Sequence, residues 1–482
     1  MLEPIKTPTL PGKLISGSYF DFFHNQLDFL KNSARDHGDF VSFRFFHLPI
    51  YLVSHPDLIE EVFSGRNANF RKAKTVRMPL QRMLFGNSLI ASDGEDWLRQ
   101  RRAIQPAFHK DFLAEFAQLI VETTCQHIAD WKEGDVVTIN DDLADLTFKL
   151  AARTFFGIKG ADEKEIIREL IDLNKSIFST QSRVSWFFDN FLPTPKHLRF
   201  RRAIARVDQL VLDLIRDRRA AGVKRRDLLS VLLSIKNEET GSLTEKQLRD
   251  EIVTTFIAGN ETTAVALSWI WVVLARHPEE FRKLRNELQS TLNGRTPTFA
   301  DIPQLKHTYR IIKETLRLYP PNRSTAREAA QDCRLGNYKV RAGSQVVMPQ
   351  WVVHRDERFF DRPNEFIPDR WTSEFEKKMH KYAYFPFGGG PRLCIGRSFA
   401  MMEIALVLAI ITDKFEISLD SSDEVEPIPL VLLRPKNDLK VTLRSIRHAP
   451  RDNGSTVAED GSGSAIGGRS CPMLMRSRDG SR

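Results

Sequence analysis

The sequence feature that most constrains the fold is a helical pattern that runs from Thr244 to Pro278. Thr244 and Gln247 have the spacing of a capping box, which marks a helix N-terminus, and a proline stops the pattern at the other end. A helix of roughly 34 residues would be about 50 Å long. Because its middle half is apolar, we predict that it crosses the interior of one large domain.

Composition also favours a single domain. The chain has 482 residues, of which 41% are hydrophobic and 28% are charged, as is typical of globular proteins. No Gly/Ser/Pro-rich linker divides its interior. We therefore predict an irregular lead over residues 1–20, one mainly α domain with small β-sheets over 21–445, and a disordered Gly/Ser-rich tail over 446–482.

Periodicity and turn residues predict the other elements of the domain. The expected structures are a hairpin over 40–46 and 50–53, mostly helix over 55–320, β-rich structure over 335–353, a long ordered loop over 355–390, helix over 395–412 and short strands over 415–444.

The charge of the chain restricts its partners. Lys and Arg number 71 against 62 Asp and Glu, so the net charge is +9, which favours an acidic partner. The basic residues are widely spread and no basic run is interleaved with aromatic residues, so we expect no nucleic-acid binding. An acidic electron-transfer protein fits the same charge.

The cysteines and the apolar segments predict a soluble, cytoplasmic protein. Four cysteines (Cys125, Cys333, Cys394 and Cys471) lie far apart without a CxxC pair, which is typical of reduced intracellular thiols. The N-terminal segment lacks the apolar core of a signal peptide. Uninterrupted apolar stretches are shorter than the roughly 20 residues that span a bilayer, so no transmembrane anchor is expected.

The segment with the clearest chemistry is the loop from Phe385 to Gly396, FPFGGGPRLCIG. Its three consecutive glycines let the backbone pass close to a flat ligand, and Cys394 lies just before an apolar run that predicts a helix. A helix N-terminus lowers the pKa of a thiol, and a thiolate is a known ligand of haem iron. A small buried cysteine is one alternative. A phosphate-binding loop is the other, but it would end in Gly-Lys-Ser/Thr.

This loop resembles the haem-binding loop of the cytochrome P450 family, Phe-x-x-Gly-x-Arg-x-Cys-x-Gly, at every specified position. The resemblance implies a haem b group between the long central helix and the cysteine loop, with the thiolate of Cys394 as ligand of the iron. It also implies that Arg392 pairs with a haem propionate and that Phe387 packs beside the sulfur. Together with the motifs below, it extends over roughly residues 8–445.

Polar residues interrupt the apolar middle of the central helix at AGNETT, residues 258–263. Glycine inside a helix costs about 1 kcal/mol relative to alanine, and a buried glutamate costs more unless it is partnered. A solvent-facing polar stripe is one explanation. The other is that Ala258, Gly259 and Thr262 share a face on which Gly259 leaves room for a ligand.

The P450 family has Ala/Gly-Gly-x-Asp/Glu-Thr at this point of its central helix. The resemblance implies that Ala258 and Gly259 contact the haem. It also implies that Glu261 and Thr262 are catalytic and deliver protons during the reduction of dioxygen.

A charge network is implied on the opposite side of the cysteine loop. Glu314 and Arg317 lie at i, i+3 on a helical segment, a spacing that is common on helix surfaces. Arg370 follows in a loop rich in proline and aromatic residues. These positions match the family's Glu-x-x-Arg helix and Pro-x-Arg loop, and the resemblance implies a buried network that holds the cysteine loop in place.

Further haem contacts are implied by Trp97 and Arg101, which have the family's Trp-x-x-x-Arg spacing. An ordinary basic helix face is the alternative for this pair. Arg327 occupies a position where the family often has another arginine. The resemblance implies that these three residues also bind the haem, with its propionates as their partners.

Together these motifs predict a monooxygenase that inserts one atom of dioxygen into a hydrophobic substrate. Electrons are expected from a separate ferredoxin or flavodoxin with its NAD(P)H-dependent reductase, since no flavin domain is fused to the chain. A peroxygenase or isomerase on the same fold is one alternative, but such relatives tend to lose the acid–threonine pair. A non-catalytic haem sensor or ligand carrier is the other, but no signalling domain is visible.

The substrate class is less constrained than the reaction. Fatty acids and terpenoids are the expected classes, with carotenoids and steroids as alternatives. The pocket is expected to be apolar and lined by residues 78–89, 256–258, 322–325 and 430–433.

Overall fold

The computed structural model describes residues 7–158, 194–222, 227–234, 236–237, 241–419, 425–436 and 438–446. The predicted tail, apart from Ile446, lies outside these residues. The helices are α1 Tyr19–His24, α2 Gln26–His37, α3 Pro56–Glu60, α4 Pro79–Phe85, α5 Gly94–Ile104, α6 Lys110–His127, α7 Ile139–Phe156, α8 Pro195–Ala221, α9 Leu228–Ser234, α10 Glu245–Arg276, α11 Pro278–Leu292, α12 Lys306–Leu318, α13 Gln350–Val353, α14 Ser373–Lys378 and α15 Arg397–Lys414.

Short strands accompany these helices, which confirms the prediction of a mainly α fold with small sheets. They are β1 Phe40–Phe45, β2 Leu48–Val53, β3 Phe70–Lys72, β4 Val136–Thr138, β5 Lys236–Asn237, β6 Gly241–Ser242, β7 Thr325–Ala329, β8 Cys333–Leu335, β9 Tyr338–Val340, β10 Gln345–Met348, β11 Phe415–Leu419, β12 Pro427–Pro429, β13 Leu433–Pro435 and β14 Lys440–Ser445.

The long central helix is α10, with 32 residues. Its capping box is formed as predicted, because Gln247 N donates to Thr244 Oγ1 at 3.2 Å and Thr244 N donates to Gln247 Oε1 at 2.9 Å. Pro278 both follows this helix and begins α11. At that first position its missing N–H removes no helical hydrogen bond.

Packing explains why α10 is so apolar. It lies against α4, α7, α8, α12 and α15, and Trp269 and Trp271 are fully buried on it. The helix is long and apolar enough to span a membrane, with a mean hydropathy of 1.3 over its most apolar stretch, but 78% of that stretch is buried inside the protein. The helix as a whole is thus longer than the uninterrupted apolar stretches within it, and burial inside the protein accounts for its composition.

The largest sheet has the strand order β1-β2-β10-β7-β3, in which only the β2–β10 pair is parallel. In the predicted hairpin, Phe45 pairs with Leu48, so the second strand begins two residues earlier than expected. Strand β3 interrupts a region that was expected to be mostly helical. Its pairing with β7 places Lys72 directly opposite Arg327.

Two expectations for the C-terminal third need correction. Residues 350–353 form a helical turn instead of strand, because Pro349 precedes them and lacks the N–H that would continue a ladder. The ordered loop over 355–390 contains short helical turns, among them α14 and Pro368–Arg370.

Candidate active site

The cysteine loop leads directly into helix α15, and Cys394 lies three residues before the first residue of that helix. Cys394 N donates to Phe387 O at 3.0 Å, and Ala400 N donates to Gly396 O at 2.8 Å where the helix begins. Phe387 packs against the main apolar core. The loop thus holds Cys394 by its backbone, close to the N-terminus of α15.

The glycines of this loop meet protein atoms. A Cβ on Gly390, where φ is +64°, would lie 1.8 Å from the carbonyl oxygen of Phe63, and a Cβ on Gly389 would lie 2.4 Å from Tyr382 Cε1. Close passage of this backbone by a flat ligand stays a prediction, and neighbouring protein atoms occupy the space of a side chain at these two positions. There the glycines let the loop pack against neighbouring segments.

Burial raises the pKa of the Cys394 thiol, although the Gly396 N–H, Arg101 and Lys72 all act to lower it. The N–H group at the helix N-terminus does lower the pKa of the thiol, as predicted, but desolvation raises this pKa by more. Cys394 retains solvent-accessible surface, but the protein atoms packed around its thiol still desolvate it. A thiolate at this position therefore needs a cationic partner, and a coordinated metal ion deprotonates a thiol outright.

Cationic side chains lie on the cysteine loop and beside it. The guanidinium of Arg392 lies 4.4 Å from the ring centroid of Trp97, and its Nη1 donates to Ser92 O at 3.1 Å. Arg392 also pairs with Asp93. From α5, Arg101 Nη1 donates to Leu393 O at 2.9 Å, one residue before the cysteine.

Lys72 joins this cluster, although sequence analysis missed it. Burial and the charges of Arg327 and Arg392 lower the pKa of Lys72 to about 7. Burial and Arg392 also lower the pKa of Arg327 to about 10. Like charges opposite each other on paired strands are destabilising. The cluster therefore favours an anionic partner beyond Asp93.

One face of the central helix is open at the predicted oxygen-activating segment. Ala258 is exposed and Thr262 is half-buried, whereas Asn260 and Glu261 are buried. Thr262 Oγ1 donates to Ala258 O at 2.8 Å. Ala258 and Thr262 therefore share one face of the helix, as predicted.

Gly259 does not make room for a ligand on that face. A Cβ at this position would lie 2.7 Å from Phe155 Cε2 on α7. The absence of a side chain here allows α7 and α10 to approach, so the physical reason given for Gly259 from the sequence is wrong. Haem contact by the Gly259 backbone remains a prediction.

Two further side chains near this segment escaped sequence analysis. The buried Glu261 forms an ion pair with Arg434 of β13. Thr263 Oγ1 lies 3.2 Å from Oε2 of Glu403 on α15. Neither Arg434 nor Glu403 lies in a recognisable motif, so only long-range packing identifies them.

The structure brings Glu314, Arg317 and Arg370 together. Glu314 and Arg317 are fully buried and 2.8 Å apart, and Arg370 Nε donates to Glu314 Oε1 at 2.9 Å. Trp371 Nε1 also donates to Glu314, at 2.9 Å. Every oxygen of this buried carboxylate is therefore engaged by at least two donors.

His354 connects this network to the cysteine loop, although sequence analysis left it out. Arg317 Nη1 donates to its carbonyl oxygen at 2.8 Å, and its Nε2 accepts from Phe385 N at 3.0 Å. Burial and the cations Arg317 and Arg355 keep the pKa of His354 well below its usual range. The neutral ring thus accepts a hydrogen bond at the start of the loop.

Comparison with known proteins identifies the family to which this chain belongs. The family model for cytochrome P450 matches residues 8–443. The chain belongs to the cytochrome P450 family.

Bacterial P450 enzymes are similar in sequence over nearly the whole chain. Cyclooctat-9-en-7-ol 5-monooxygenase of Streptomyces melanosporofaciens is 35% identical, over 86% of this chain and 90% of the relative. Pentalenene oxygenase of Streptomyces avermitilis is 30% identical, over 90% and 96%. The chain is thus similar to bacterial P450 enzymes and is itself a P450 monooxygenase.

Solved structures show the same fold. The heme domain of cytochrome P450DA superimposes with a TM-score of 0.80 at 26% identity, over 92% of this chain and 99% of that one. Retinoic acid-bound cyanobacterial CYP120A1 gives a TM-score of 0.82 at 24% identity, over 92% and 100%.

P450s bind haem through a cysteine thiolate, and the residues of this chain fit that group. Cys394 offers a sulfur ligand that has accessible surface and whose backbone is held by Phe387. Lys72, Arg327 and Arg392 form a cluster that favours anions, and the two haem propionates supply carboxylates. Bound haem would contribute oxidising power at its iron.

Proposed function

We propose that this P450 is a haem b enzyme that oxidises a terpenoid, with Cys394 as ligand of the iron. The observation that carries the proposal is that a buried acid, Glu261, directly precedes a half-buried hydroxyl, Thr262, which lies on the open face of the central helix. Such a pair can hold and move protons, which dioxygen reduction consumes.

The other residues of the site would bind and orient the haem. Arg101, Arg327 and Arg392 would pair with the haem propionates through charge-assisted hydrogen bonds. Trp97 supports Arg392 by its stacked ring, and Phe387 holds the backbone N–H of Cys394.

The substrate class follows from the relatives and from the segments expected to line the pocket. Two bacterial relatives are named for oxidation of cyclooctat-9-en-7-ol and of pentalenene, both terpenoids. Residues 78–89 and 430–433 are largely apolar, which favours a hydrophobic substrate. We therefore place terpenoids ahead of fatty acids.

The proposal also includes an electron donor and a cellular location. Electrons would arrive singly from a ferredoxin or flavodoxin and its NAD(P)H-dependent reductase, and the enzyme would work as a soluble cytoplasmic protein. The net charge of +9 suits an acidic donor.

The test combines spectroscopy with turnover. The purified ferric protein is titrated with terpenoids, including pentalenene, and with fatty acids, while the reduced protein is examined with carbon monoxide for the thiolate-type Soret band. Terpenoid-induced spectral shifts and hydroxylated product with a surrogate ferredoxin system are expected. Turnover with peroxide but none with ferredoxin would favour a peroxygenase, and a missing thiolate-type band would refute the ligand assignment.

A further inference from the structure

The buried acid of the central helix is paired with a cation from a distant hairpin. Glu261 is 3% exposed, and Arg434 Nη2 donates to its Oε1. Arg434 is the middle residue of β13 and lies opposite Ile428 of β12. A buried carboxylate is costly without a partner, so Arg434 influences both the charge and the direction of Glu261.

The β12–β13 hairpin is fixed to the helix that carries Glu261. Trp269, about two turns further along α10, donates from Nε1 to Leu433 O at 2.7 Å. Leu433 N donates to Pro321 O at 2.8 Å. The residue before Arg434 is therefore held on both of its backbone groups, and the guanidinium is aimed from a fixed base.

The tip of the same hairpin, residues 430–432, lies within the segment 430–433 that is expected to line the pocket. Arg323 Nη1 donates to Leu430 O at 2.6 Å, while Val431 at the tip is 37% exposed. A substrate that packs against this apolar tip acts on the same two-stranded unit that presents Arg434.

Both members of the acid–threonine pair are engaged in this structure. Thr262 Oγ1 donates within its own helix, and a guanidinium favours the ionised form of Glu261. A carboxylate held in its ionised form is a poor proton donor. Burial lowers the pKa of Arg434 and the charge of Asp141 acts to raise it, so Asp141 is a second carboxylate that attracts the guanidinium if the pair opens.

We infer that Arg434 is a positioning residue for Glu261, and that substrate bound against residues 430–433 opens this ion pair. The inference rests on the proposed function, because it assigns control over the acid which that proposal uses. Without substrate, the closed pair limits proton delivery and so limits consumption of NADPH without product. With substrate, Glu261 is released to take up and transfer protons.

Arg434→Gln tests this inference against Lys436→Gln. Lys436 lies on the same hairpin and pairs with Glu426 at 2.6 Å, with both side chains exposed. In the haem-loaded protein with a surrogate ferredoxin system, Arg434→Gln should raise substrate-free NADPH oxidation about tenfold, the ratio expected for a barrier change of about 1.4 kcal/mol. Product per NADPH should fall, Arg434→Lys should restore much of it, and Lys436→Gln should match the parent.

An infrared readout separates positioning from mere structural support. The protonated-carboxyl band that disappears in Glu261→Gln is compared with and without pentalenene. In the parent this band should grow on substrate binding, and in Arg434→Gln it should be present already without substrate. Identical spectra and NADPH rates in Arg434→Gln and Lys436→Gln would overturn the inference.

The proposed function can fail separately from this inference. Failure of the former would appear as absent terpenoid product in the parent protein. The substrate-free NADPH rate and the infrared spectrum of Arg434→Gln still report on the ion pair in that case.

Discussion

At the scale of single residues, one carboxyl group joins the central helix to the helix that follows Cys394. Glu403 is 1% exposed, and its side chain meets Thr263. Burial raises the pKa of Glu403 to about 8, although the hydrogen bond with Thr263 opposes this. The group is therefore mainly protonated at neutral pH in the folded protein.

This raised pKa should make stability depend on pH. The carboxyl group of Glu403 keeps its proton in the folded state, but in the unfolded state it releases the proton above the ordinary pKa of 4.5. The stabilisation of the folded state by this proton is therefore complete below about pH 4.5 and is lost as the pH rises towards about 8. Glu403→Gln stays neutral and should reduce the loss of unfolding free energy between about pH 5 and 8. Urea unfolding across this range measures it, with the exposed Glu416→Gln as control. Equal pH slopes in parent and Glu403→Gln would contradict the prediction.

A second prediction at this scale concerns Lys72, whose removal should maintain or raise the stability of the haem-free protein but weaken the retention of haem. Lys72→Met removes repulsion from Arg327, so the haem-free protein should be equally stable or more stable. It also removes a partner for a propionate, so haem transfer to apomyoglobin should be about tenfold to a hundredfold faster, since hydrogen bonds to charged groups contribute roughly 1.5–3 kcal/mol. The exposed Lys74→Met serves as the control. Unchanged haem transfer in Lys72→Met would exclude this role.

At the scale of elements, the Glu314 network ties α12 to the loop before the cysteine. Glu314→Ala leaves Arg317 and Arg370 buried without their carboxylate, a loss that typically costs about 3–5 kcal/mol. We expect protein without haem, judged by the ratio of Soret to protein absorbance. Glu376→Ala, which breaks a more exposed pair with Lys313 on the same helix, should load normally. Normal haem content in Glu314→Ala would refute the role.

The contact between α7 and α10 offers another prediction at this scale. In an open helix position, Gly→Ala stabilises by about 1 kcal/mol. At Gly259 the new methyl would strike Phe155, so Gly259→Ala should lower the free energy of unfolding instead. Adding Phe155→Leu should recover part of that loss, and a double-mutant cycle measures the coupling. Additive effects of the two changes would show that the contact is unimportant.

At the scale of the whole molecule, net charge should govern the encounter with the electron donor. A protein of charge +9 attracts an acidic redox partner, and salt screens this attraction beyond about 10 Å at 0.1 M. The rate of first-electron transfer should therefore fall as NaCl is raised, while the reduced carbon monoxide spectrum stays constant. Stopped-flow reduction measures this, and a salt-independent rate would argue against electrostatic steering.

The sequence by itself determined the local features of this P450. The capping box at Thr244, the apolar central helix, the glycine loop before Cys394 and the Glu314–Arg317 spacing are all patterns within a few residues. Short-range rules of capping, periodicity and turn chemistry are enough to read them. The family resemblance then supplied the order in which such motifs occur.

Only the tertiary structure decided which distant side chains lie next to these motifs. Lys72 meets Arg327 through strand register, Arg434 reaches Glu261 from a hairpin about 170 residues away, and Phe155 explains Gly259. Desolvation also reversed the expected shift of the Cys394 pKa. These effects depend on which distant groups share a buried volume, because electrostatic and packing energies are set by separation in space and not along the chain.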